Sequence, residues 1–131
     1  MNRYILFLIL PIMGVLLTGC PFNLTDVRYL PAQLNPTASA NVGFALAENV
    51  TLDDLPCDYT RVLRSGTTWV PVGEVPKGTV YRSKEQQLTL ECSNAFQAYL
   101  VISEKKLVGF YLPVEKGYVA LEKPVPLPIK P

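Results

Sequence analysis

Apolar and polar residues alternate most clearly between residues 88 and 112. Leu88, Leu90 and Cys92 alternate with Thr89 and Glu91, the period of a half-buried strand. Further on, Phe96, Ala98, Leu100 and Ile102 share one face of an extended segment, and Gln97, Tyr99, Val101 and Ser103 share the other. The charged Glu104-Lys105-Lys106 interrupts, and Leu107 to Leu112 resumes. These two apolar runs predict a hairpin in the middle of a sheet. Gly109 predicts a bulge or bend in its second arm, and Pro113, which cannot donate to a ladder, predicts its end. Upstream, Thr68-Trp69-Val70-Pro71-Val72 is aromatic and β-branched, and Thr79-Val80-Tyr81-Arg82 follows a Pro76-Lys77-Gly78 turn. Tyr118-Val119-Ala120-Leu121 makes a last short strand after Gly117.

Five or six short strands at this spacing predict a mainly β fold: a small antiparallel β-barrel or sandwich of SH3-like or OB-like size. No helix of convincing length is predicted. Val50 to Leu55 is the best short helical candidate, with Thr51 capping a turn that contains Asp53 and Asp54. Val42 to Leu46 reads as a strand or the start of a short helix. The β-domain is thus expected over residues 42–121.

The flanks have a different composition. Residues 20–41 carry Pro21, Pro31 and Pro36 and no sustained periodicity. They read as an extended tether with a short ordered piece around Val27-Arg28-Tyr29-Leu30, or as a first strand pairing into the domain. Residues 122–131 have proline at Pro124, Pro126, Pro128 and Pro131, a tail that favours an extended polyproline-II form. It reads as a recognition peptide, a frayed end, or a segment packed on the domain, where Val125, Leu127 and Ile129 would project alike.

Residues 1–19 read as a targeting signal. Arg3 is followed by an uncharged apolar run from Tyr4 to Leu17, then by the small residues Thr18 and Gly19. As a helix that run spans about 21 Å, short of the ~30 Å hydrocarbon core. Leu17-Thr18-Gly19-Cys20 resembles the lipobox of bacterial lipoproteins. The resemblance implies cleavage before Cys20, a diacylglyceryl thioether on its sulfur, and a fatty acyl group such as palmitate on its new amine. In that family Asp after the cysteine marks inner-membrane retention. Pro21 stands there, so the expected place is the outer membrane, facing the periplasm.

That cleavage changes the composition. The whole chain has 131 residues, 12 basic against 11 acidic, and 49% hydrophobic residues. Cleavage removes Arg3 and leaves the charges balanced, with no electrostatic case for nucleic acid. Of the three cysteines, lipidation uses Cys20. Cys57 and Cys92 are then expected to form one structural disulfide. Acidic neighbours Asp58 and Glu91 argue against a redox pair.

The chain has no histidine, which removes the usual general base and the commonest neutral metal ligand. Zinc would lack soft ligands, and no cofactor or metal is expected. Ser103-Glu104-Lys105-Lys106 formally matches Ser-x-x-Lys, but that motif must open a helix, and here it lies in a turn. No catalytic residue is assigned, and the protein is expected not to be an enzyme. Trp69, Tyr99 and Tyr111 are candidates for an aromatic surface holding a glycan or peptide; the alternative is that the aromatics fill the core. The expected role is a non-catalytic accessory, structural or assembly role in a cell-envelope complex. The membrane is a partner through the lipid on Cys20, and an envelope protein through the proline tail or an edge strand.

Overall fold

The computed structural model describes residues 27–36, 42–55 and 59–130, and all regular structure in them is β strand. The first strands are β1 (Leu30–Pro31), β2 (Phe44–Leu46), β3 (Val50–Leu55) and β4 (Tyr59–Leu63). β5 (Thr68–Val75), β6 (Gly78–Ser83), β7 (Thr89–Glu91) and β8 (Ala95–Gln97) follow. β9 (Tyr99–Ser103), β10 (Lys106–Leu112), β11 (Gly117–Pro126) and β12 (Ile129–Lys130) complete the order. Eight strands form one antiparallel sheet in the order β1-β11-β10-β9-β6-β5-β2-β12. β3 and β4 make a separate pair, as do β7 and β8.

The expected hairpin is β9 and β10, and it lies in the interior of the large sheet. Its turn holds Glu104 at φ 54° and Lys105 at φ 63°. Two consecutive left-handed residues match the right-handed twist of the flanking strands. Side chains with a Cβ adopt that conformation at a cost. Gly109 marks the expected bulge: the pairing to β9 slips by one residue at Val108. A Cβ there would lie 2.6 Å from the Tyr118 hydroxyl oxygen and 2.3 Å from the Val119 carbonyl oxygen. The Tyr118 ring thus covers the glycine across the strands.

Phe96 to Ser103 is not one strand. β8 folds back on β7, Ala98 donates to Leu88 O at 2.9 Å, and β9 then enters the large sheet. Alternation survives the crossing, because Phe96, Ala98, Leu100 and Ile102 all join the same core cluster.

Val50–Leu55 is a strand and not the expected helical turn. Val50 and Leu52 are buried while Thr51 and Asp53 are exposed, a period of two. A bulge against β4 between Leu52 and Leu55 adds one residue, so both leucines stay buried although three positions apart. The capping signal from Thr51 and Asp53 is outweighed by that burial.

Both flanks belong to the sheet where they are described. Of the expected tether, Val27 is buried, Leu30 and Pro31 pair with β11, and Asn35 bridges Glu74. Of the expected tail, residues 122–126 continue β11 and Ile129–Lys130 form β12. Leu127 is buried, with Val125 and Ile129 packed against the same cluster, as their common projection predicted. The Leu127 amide donates to Lys105 O at 3.1 Å, and Pro128 O accepts from the Ala47 amide at 2.8 Å. Residues two apart in an extended chain turn their N–H groups the same way. Leu127 therefore faces the β9–β10 turn, while Pro126 and Pro128 place their missing donors on the opposite side. β11 and β12, near opposite ends of the strand order, are separated by only Leu127 and Pro128. The sheet curls, but its order still ends at β1 and β12, and no closed barrel forms.

The inner face carries the main core, including Phe44, Trp69, Leu100, Leu107, Phe110 and Leu112. The left-handed Glu104-Lys105 turn generates a stability test. Replacing these two residues by Asn-Gly should raise unfolding free energy by about 1 kcal/mol or more in urea denaturation. A loss of stability would show that the charged side chains stabilise the turn more than its conformation costs.

Candidate functional site

The large sheet has a second apolar face. Val75, Val80, Val101, Tyr111 and Tyr118 are buried there, with Ala32, Leu34, Val72, Tyr99 and Val108 packed against them. Tyr99 pairs with Tyr111 across β9 and β10, and Tyr111 pairs with Tyr118 across β10 and β11. Three tyrosines thus form a row across adjacent strands. Residues 29–36 cross this face as a strap. Ala32 N donates to Lys116 O at 3.0 Å, and Asn35 and Glu74 exchange amide bonds at 2.8 and 2.9 Å. The Tyr29 ring lies on Gly117, leaving no room for a Cβ there. The Tyr118 hydroxyl donates to Val108 O at 3.0 Å.

A shallow groove of about 680 Å³ runs beside the strap, lined by Pro31, Gln33, Leu34, Tyr111, Pro113 and Lys116. A smaller one of about 100 Å³ lies on its other side, between Leu30–Ala32, Val75, Lys77 and Tyr118. A polar hollow of about 420 Å³ sits elsewhere, between the 82–88 segment and Gln97–Tyr99.

The three aromatic candidates do not share one surface. Trp69 is 1% exposed on the inner face. It pairs with Phe44, whose ring meets Tyr81 edge-on at 5.0 Å. Its Nε1 has no hydrogen-bond partner. Tyr99 and Tyr111 are neighbours on the opposite face, where Tyr111 is buried. Ser103 and Lys106 face each other across the hairpin, so the formal Ser-x-x-Lys sits on no helix. Cys92, half-buried beside the core, is disulfide-bonded; Cys57 and Cys20 lie outside the described residues. Among the described residues no group of three or more acidic or cysteine side chains could hold a metal. No helix there is long and apolar enough to cross a membrane.

Two polar contacts, one between the two small sheets and one from β4 to the segment after β6, leave no mark in the sequence. Arg61 on β4 donates to Thr89 Oγ1 at 2.6 Å and to Glu91 Oε2 at 3.2 Å on β7. The Gln86 side-chain amide donates to Val62 O at 2.8 Å and accepts from Arg64 N at 3.1 Å, satisfying part of β4's outer edge. The strap and the tyrosine row do have a signal. Val101 and Val80 fall on the face that alternation assigns outward, and an apolar outward face needs a cover.

Burial raises the hydroxyls of Tyr81, Tyr111 and Tyr118 above the ordinary 10.0, and for Tyr111 the neighbouring Tyr99 adds to the rise. Their neutral forms are held in the fold. This contribution to stability is fully present below about pH 10, where unfolded tyrosines are neutral. It is lost as pH rises through the higher folded values. Phenolate absorbance should show these three titrating above the ordinary 10.0, with unfolding free energy falling above about pH 10. A single titration at the ordinary value would contradict their burial. Comparison with known proteins finds no matching family model, no similar curated protein and no similar solved structure.

Proposed function

We propose that this chain is a lipoprotein of the bacterial cell envelope, anchored by acyl chains on Cys20 in the outer membrane and facing the periplasm. The observation that carries this reading is Leu17-Thr18-Gly19-Cys20 directly after the uncharged run from Tyr4 to Leu17. Two lipid signals already anchor a protein stably, and the lipobox family carries three chains. The domain then serves a non-catalytic accessory or assembly role in an envelope complex. The histidine-free composition supports that choice over an enzyme.

The proline tail is a weaker docking element than its sequence suggests, because residues 122–130 take part in the sheet or its core. A second reading, a module that holds a glycan or peptide, is favoured by the groove in which Tyr111 meets Pro31, Pro113 and Lys116. We also assign Cys57 as the partner of Cys92, since lipidation occupies Cys20. On a chain-entropy basis a loop of this size contributes about 4 kcal/mol.

Cys20→Ser should leave the protein uncleaved or release it from membranes in fractionation. A processed, membrane-retained Cys20→Ser form would overturn the lipoprotein reading. In the mature wild-type protein, denatured without reductant, maleimide should label neither Cys57 nor Cys92. Labelling of both would overturn the pairing.

A further inference from the structure

Among the described residues five large apolar side chains stand exposed, and three of them lie on the β1 segment or on the β10–β11 turn, whose Lys116 carbonyl accepts the amide of Ala32 just after β1. Leu30 is 69% exposed on β1, Tyr29 is 41% exposed over Gly117, and Val114 is 72% exposed in the β10–β11 turn. Exposed cations surround them. Arg28 precedes Tyr29; Lys116 accepts the Ala32 amide through its carbonyl; Lys77 lines the small groove with Leu30 and Pro31. The acidic residues on the same elements are Glu74 and the half-buried Glu115, and Asp26 precedes Val27 in the sequence. An apolar, aromatic and basic mixture suits the headgroup level of a bilayer. Water alone does not favour such a patch.

The chain itself leads this patch to a membrane. Val27 is buried in the inner core and fixes the start of the strap. Only six residues separate it from Cys20, a reach of at most about 25 Å even if fully extended. A lipid on Cys20 therefore holds this end of the domain close to the bilayer. We propose that the β1 end of the domain lies on the bilayer surface, with Tyr29, Leu30 and Val114 at headgroup level and Arg28, Lys77 and Lys116 facing anionic headgroups. This rests on the lipidation of Cys20 proposed above. It makes residues 27–36 a docking foot and not a spacer.

Trp69 is buried and supplies a constant background for the test. Full-length acylated protein carrying Leu30→Trp or Val114→Trp is reconstituted in phosphatidylethanolamine–phosphatidylglycerol vesicles containing a brominated phospholipid. Val62→Trp, at an exposed position of β4 in the separate pair, is the control. Leu30→Trp and Val114→Trp should each lose roughly half of their added emission, as an aromatic ring at headgroup level would, and Val62→Trp almost none. Mass spectrometry reports acylation of Cys20 separately. Acylated protein in which neither new tryptophan is quenched beyond Val62→Trp overturns the docking surface alone. A chain without acyl groups on Cys20 overturns the lipoprotein reading and the docking surface with it.

Discussion

The structure depends on one short stretch at which the chain changes partner. Up to Pro126 the C-terminal strand pairs with β10; from Ile129 it pairs with β2. At the change, the Leu127 amide bonds to the β9–β10 turn and the Pro128 carbonyl bonds to Ala47, while the Leu127 side chain enters the core. The curl of the sheet, and so the enclosure of Trp69 and Phe110, follows from that double attachment. The alternating prolines are compatible with it because each lacks a donor only on the side where β10 is not found. They also make that side a poor template for adding a foreign strand.

The second constraint is that β9 and β10 are apolar on both faces. Leu100, Ile102 and Phe110 face the inner core, and Val101 and Tyr111 the outer one. A sheet of this kind needs two covers. The β3–β4 and β7–β8 pairs contribute Leu52, Leu63 and Leu90 to the inner core, and the strap contributes Ala32 and Leu34 to the outer one. The strap is held by few backbone bonds, and glycine at 109 and 117 allows tyrosine rings to sit directly on the sheet.

What was legible in the sequence was local and periodic. The β9–β10 hairpin, its charged turn, the Gly109 bulge and the inward set from Leu88 to Ile102 all follow from alternation over short range. Pairings between distant segments were not legible. Nothing in Leu30-Pro31 names Tyr118 and Gly117 as partners, and nothing in Ile129-Lys130 names Leu46 and Ala45. Asp53 and Asp54 resemble a capped turn because capping chemistry is readable locally, whereas the β3 bulge that buries Leu55 is not. The aromatic candidates separated for a similar reason. Trp69 and Tyr99 each alternate correctly within their own strands, but the face each alternation meets is set by the sheet.

The pairing of β2 with β12 joins residues 44–46 to residues 129–130, nearly the full length of the described chain. Such a long-range closure carries a large entropy cost before it is repaid, and it slows folding. It also means that no N-terminal portion ending before β12 contains the β2–β12 edge of the sheet. A chain emerging N-terminus first cannot make this pairing until residues 129–130 have followed, so the sheet completes late along the chain.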